Sequence, residues 1–263
     1  MSSTVQAVYR SAGPLRKSEH FHDCHQMILI TGGQAEFLVN GMPLAAKAGD
    51  IAVFSRYENH SLGVCSGDYE RYILQLDPEV VNQKSAVYAL LTDRPQGFSN
   101  VICLGTAMEP VHGIFRQLMA EHGSGAPLWE ELERLLVRQL LILVHRCVSV
   151  PFDSLHDEMV IALKRQFESR YAEPCTLEAL AAQFHISPSA LSHRFRAATG
   201  TSVMHYLQSI RIASAKRMLA ETALSINQIV EACGFSDASN FTRTFRQRTG
   251  VTPTAFRSQY AAL

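Results

Sequence analysis

Two stretches of this chain repeat each other, and that repeat restricts the fold more than any other feature. Residues 176–207 read TLEALAAQFHISPSALSHRFRAATGTSVMHYL and residues 225–257 read SINQIVEACGFSDASNFTRTFRQRTGVTPTAFR. Phe195 matches Phe245, Thr199-Gly200 matches Thr249-Gly250, and Thr176 matches Ser225. Each copy opens with a hydroxyl residue placed to cap an apolar-periodic run. A tight break follows, at His185-Ile186 or Gly234-Phe235. A second hydroxyl, Ser187 or Ser236, then opens another short helix. Two helices across a short turn make a helix-turn-helix unit, so the pattern predicts two such units, at 176–200 and 225–250.

The second helix of each unit has two chemically distinct faces. Leu191 and Phe195 lie four residues apart, as do Phe241 and Phe245, so these pairs turn inward. The opposite faces then expose Ser189, Ser192, His193 and Arg196 in the first unit, and Ser239, Asn240, Arg243 and Arg246 in the second. Arginine bonds guanine with two hydrogen bonds and asparagine does the same with adenine, while serine adapts to either. One such face by itself reads as ordinary solvated helix. Two faces at one repeat distance favour DNA.

Charge supports that choice. Residues 155–263 carry 12 Lys and Arg against 8 Asp and Glu, and residues 1–154 carry 12 against 16. A basic half joined to an acidic half is the asymmetry of a chain in which one part meets phosphate. Between the units, 202–221 is apolar at Met204, Leu207, Ile210, Ala213 and Met218. A continuous helix there holds the units rigidly, and reading helices about 34 Å apart enter successive major grooves.

The first half has a different texture. Met27–Ile30, Ala35–Val39, Ile51–Phe54 and Tyr72–Leu76 are short apolar runs, separated by Gly32-Gly33, Asn40-Gly41 and Gly49-Asp50. These read as strands of a sandwich or small barrel. From Met108 the period becomes helical, giving helices over 108–122 and 128–147. Leu132, Leu135, Leu136, Gln139 and Leu143 form a wide stripe on the second. Such a stripe packs on its own barrel or forms a homodimer interface. Residues 148–154, with Pro151, read as the linker. The six cysteines are scattered and no C-x-x-C pair occurs, so reduced thiols in a cytoplasmic protein are expected. Neither a secretory signal nor a membrane-spanning run is readable.

On the stretches SVMHYLQSIRIASAKRMLAE, HISPSALSHRFRAATG and the second repeat copy, residues 155–260 resemble the DNA-binding domain of the AraC/XylS family of transcription regulators. The resemblance implies that Ser189, Ser192, His193, Ser239, Asn240 and Arg243 face bases. It also makes activation the default direction, with RNA polymerase as a partner. His20, His22, Gln26, Gly32, Gly49-Asp50 and His60 resemble the cupin barrel that many such regulators carry. In metal-binding cupins an H-x-H pair, a carboxylate and a later histidine converge on one ion. Here His20, His22 and His60 fit that layout, with Gln26 at the carboxylate position.

The expected molecule is therefore multi-domain α and β. Residues 1–150 form a cupin-like β-barrel with flanking helices that senses an effector and offers a candidate homodimer interface. Residues 155–263 form an all-α DNA-binding domain. His20, His22 and His60 on a strand share one face and point inward, while His25 points elsewhere. They serve an organic effector together with Gln26, or a divalent metal by themselves, or only the barrel's own hydrogen bonding. The chain reads as a regulator and not an enzyme, since no catalytic triad, phosphate loop or carboxylate pair is legible. The alternatives are a metal-dependent cupin enzyme fused to a DNA-binding tail, against which Gln26 speaks, and a constitutive DNA-binding protein.

Overall fold

The computed structural model describes residues 4–12, 17–78, 86–92, 94, 98–149 and 157–260. The chain divides into two compact units, Met1–His156 and Asp157–Leu263. From residue 150 onward, the expected linker lies outside the described residues.

The first unit is two antiparallel sheets. One has the order β1 (Val5–Ala12), β8 (Glu70–Leu76), β3 (His25–Gly32), β6 (Asp50–Phe54) and β9 (Val101–Cys103). The other has the order β2 (Lys17–His20), β7 (His60–Cys65), β4 (Gln34–Val39) and β5 (Met42–Lys47). Asn40 and Gly41 take φ of 51° and 81° and join β4 to β5, with Val39 opposite Met42. Positive φ at both central residues is what a two-residue hairpin matched to strand twist needs.

Alternation along the strands divides the core in two. Met27 and Leu29 of β3 face one way and join Ile51, Val53 and Leu74 under α2 (Met108–Glu121) and α3 (Trp129–Arg146). The short α1 (Ala89–Thr92) adds Leu90 and Leu91 to this layer. Ile28 and Ile30 face the other way and meet Phe37, Phe54 and Ile73 between the sheets. Both faces of β3 and β6 are thus covered, which is why those strands read as unbroken apolar runs.

Helix α3 is rotated relative to its expected stripe. The side chains it buries are Glu133, Leu136, Val137, Leu140, Leu141 and Val144. Leu132 and Leu135 instead stay exposed, at 42% and 64%, beside Leu128 at 78%. A long run rich in leucine fits two adjacent faces equally well, and the sheet selects the one that fills its concavity. Glu133 is fully buried in that face. Its carboxylate accepts from the Val5 backbone N–H at 2.9 Å and lies 2.9 Å from His122 Nδ1. It ties the first strand to both helices.

The second unit is helical throughout its described residues. Its axis is α7 (Val203–Glu221), 19 residues capped by Ser202 and about 28 Å long. The helix α4 (Glu158–Arg170) packs on it, as do α6 (Pro188–Thr199), α8 (Ile226–Ala232), α9 (Ala238–Thr249) and α10 (Pro253–Tyr260). The helix α5 (Leu177–Gln183) packs on α6. With neighbours on so many sides, α7 buries residues from Val203 to Leu219 around most of its circumference.

Candidate functional site

In the helical unit the two repeats are built alike at the level of single hydrogen bonds. Thr176 caps α5 by accepting from the Ala179 N–H, and Ser225 caps α8 in a reciprocal box with Gln228. Ser187 caps α6. The cap of α9 is Asp237, not Ser236 as the spacing suggested. The Ser236 hydroxyl donates to the Asp237 carboxylate, whose pKa is lowered chiefly by the backbone N–H of Asn240. A carboxylate suits a helix N-terminus better than a hydroxyl because it also meets the dipole. The threonine matched between the repeats does one job twice. Thr199 and Thr249 each donate back to the carbonyl four residues earlier, Phe195 or Phe245, just before a glycine in the left-handed region.

The turns are where the copies differ. His185 holds φ of 54° and Gly234 holds 71°. At Gly234 a side chain has no room, since a Cβ would stand 2.3 Å from the Ala172 carbonyl oxygen. The first unit meets no such neighbour and tolerates histidine, at some cost in strain.

Leu191, Phe195, Phe241 and Phe245 are fully buried, as their spacing predicted. Ser189, His193 and Arg196 are exposed on α6, as are Ser239, Arg243 and Arg246 on α9, while Ser192 and Asn240 are half-buried. Asn240 Oδ1 accepts from Arg243 Nη2 at 3.3 Å and from Thr244 Oγ1 at 3.4 Å. This orients both side chains and leaves the amide NH2 of Asn240 to donate. Arg194 is different. It makes a bidentate pair with Asp157, at 2.8 Å on both bonds, and Asp157 also caps α4. It is a clamp between helices, which no spacing in the sequence announces.

In the β unit His20 and His60 are direct cross-strand partners on β2 and β7, with ring centroids 4.6 Å apart. The strand ends at His20, so His22 reaches the site from the following bend and not from a shared strand face. Its ring still lies 4.9 Å from His20 and 5.4 Å from His60. One ring nitrogen from each histidine falls within 4.8 Å of the others. Phe54 stacks on His60 at 4.1 Å. His60 Nδ1 donates to the Glu58 carbonyl at 2.9 Å. Its Nε2 lies 3.1 Å from Gln26 Oε1. His25 is set apart, accepting at Nδ1 from the Arg56 N–H.

His20, Gln26 and His60 line a pocket between the sheets, together with Arg71 and apolar walls that include Ile28 and Phe37. The space open to the centre of a water molecule is about 20 Å³, slightly above the roughly 10–15 Å³ that one water requires. Three imidazoles suit a zinc-type ion as donors. The charge does not suit one, because the described lining contains a guanidinium and no carboxylate. Arg71 was not singled out from the sequence. No local pattern marks it, since its strand also carries the polar residues Glu70 and Gln75.

A two-sheet barrel with a polar internal pocket and a separate pair of helix-turn-helix units define a ligand-sensing DNA-binding protein. Residues 8–141 match the family model described as AraC-like ligand binding domain, and residues 180–259 match a helix-turn-helix domain. The chain belongs to the AraC family. Similar proteins include the transcriptional activator RhaS of Salmonella arizonae, 26% identical over 243 residues that cover 91% of this chain and 87% of RhaS. The activator RhaR of Pectobacterium atrosepticum is 29% identical over 252 residues, covering 92% and 86%. Among solved structures, ToxT from Vibrio cholerae O395 superposes with a TM-score of 0.61 at 12% identity, covering 99% of both chains, and shares the fold. No described helix is long and apolar enough to cross a membrane.

Proposed function

We propose that this protein is a transcriptional activator that binds an operator through α6 and α9 and is controlled by a small molecule held in the barrel. The observation that carries the reading is the duplication: two units of the same build offer outward polar faces on α6 and α9, both packed on the continuous helix α7. Ser189, Ser192, His193, Ser239, Asn240 and Arg243 are assigned to base edges, and Arg196 and Arg246 to the phosphates that flank them. The activating direction follows the named activity of RhaS and RhaR and makes RNA polymerase a partner. His20, His22, Gln26 and His60 are assigned to the effector, and the barrel is read as a sensor, not an enzyme. This reading implies a cytoplasmic location.

The test is operator binding. Arg243→Ala is expected to weaken binding by about 1–3 kcal/mol and to relax preference at one base position. Arg246→Ala is expected to weaken all sequences alike and to lower the salt slope by about 1. Titrations of the cognate site and its single-base variants at several salt concentrations separate the two. Unchanged affinity and preference in Arg243→Ala would remove α9 as the reading helix.

We assign the exposed ridge of Leu128, Leu132 and Leu135 on α3 to a homodimer contact between β units. Aspartate at position 135 places a charge in the middle of that ridge. Leu135→Asp is expected to sediment as a monomer with an unchanged melting temperature. A variant that sediments like the parent at every concentration rules this contact out.

A further inference from the structure

Among the described residues, Arg71 in the pocket of the β unit makes no ion pair with a carboxylate. Arg71 is 2% exposed, and its Nη1 has no hydrogen-bond partner. The other partly buried arginines described in this unit are each matched: Arg56 by Asp23, Arg94 by Glu58 and Arg134 by Glu130 and Glu131. Arg71 lies over the Tyr69 ring, 4.9 Å from its centroid. That phenol supplies no counter-charge. Burial pushes its pKa up to about 12, against the pull of Arg71 itself, so the hydroxyl keeps its proton. An uncompensated buried charge is among the most expensive features a core can hold. Guanidinium is also the side chain whose planar fork matches a carboxylate.

We infer that the barrel pocket takes a small organic acid, whose carboxylate is received by Arg71 while its body lies against Leu62 and Ile73. The inference rests on the reading of the barrel as the effector domain and gives that effector a chemical class. One guanidinium with an open edge balances one carboxylate. His20, His60 and Gln26 place further polar side chains around it. A divalent ion on the three histidines would instead add its charge to that of Arg71.

The experiment uses the full-length protein and follows its melting temperature and equilibrium binding. Formate and acetate are compared with formamide and acetamide, inorganic phosphate and zinc ion. Expected are stabilisation by the carboxylates and none by the amides. Arg71→Met is expected to lose roughly tenfold or more in carboxylate affinity and, without ligand, to melt no lower than wild type, because a buried charge has been removed. Arg71→Lys, which keeps the charge and loses the fork, should fall between them and serves if the methionine variant does not fold. Equal stabilisation by the amides overturns the inference, as does preference for phosphate or zinc, or silence of both carboxylates. So does a large loss of stability in ligand-free Arg71→Met and Arg71→Lys, which makes Arg71 structural. If carboxylates bind through Arg71 and operator affinity does not change, the sensor reading fails and the acid site stands. If a neutral ligand binds the barrel and alters operator affinity in both Arg71 variants, the acid site fails and the sensor reading stands.

Discussion

Phe245→Ala is expected to destabilise the helical unit by about 3–5 kcal/mol, the cost of removing a large side chain from a site that cannot collapse. Phe245 is fully buried, with its ring 5.6 Å from Phe241 and 5.5 Å from Phe256. Those rings belong to α9 and α10, and the space left between them is held open by α7. Typical stabilities are about 5–15 kcal/mol, so the loss is a large fraction of what the unit has. Urea unfolding followed by helical circular dichroism measures it. Phe195→Ala, in the matching position under α6, provides the internal comparison and should lose a similar amount, since Phe195 is equally buried against Tyr206. A midpoint and slope unchanged from wild type in Phe245→Ala would mean that the ring is not a core anchor.

Glu133→Ala should be the most damaging single change in the β unit outside its apolar core, at about 2–4 kcal/mol. The substitution strips an acceptor from the Val5 N–H and from His122 at once. Each buried polar group left unsatisfied costs about 1–3 kcal/mol. Because one of those groups is on β1, the first effect should be local: the amides of β1 lose protection from hydrogen exchange before the rest of the sheet does. Glu133→Gln keeps the shape and an acceptor, and should retain more than half of the stability. Wild-type exchange rates along β1 in Glu133→Ala would show that the carboxylate holds nothing in place.

The parts of the molecule that were legible in the sequence are those governed by local rules. Caps, turn glycines and the i, i+4 aromatic pairs of α6 and α9 act within a few residues, so their spacing carries their meaning. The cap of α9 slipped by one residue because Ser236 and Asp237 both satisfy that rule and only the backbone decides between them. The histidine cluster was legible through family likeness, and its route was not: His22 arrives from a bend, which strand alternation does not describe. What lay beyond reach depends on distant packing. Glu133 and Arg71 are charged residues buried by partners from other elements, and the pairing of Arg194 with Asp157 spans a gap in sequence that no periodicity bridges. The face of α3 that meets the sheet was similarly open, since the choice between two leucine ridges belongs to the sheet's shape.

The length and continuity of α7 have a consequence for the operator. The two helices proposed to read bases are copies in fold but not in chemistry, one offering Ser192 and His193 and the other Asn240 and Arg243. On the proposed assignment, a single chain reads a bipartite word whose halves differ. The cognate site has a direction, like an arrow rather than a palindrome. A molecule bound to it points one way along the promoter, and an inverted copy of the site is a different address.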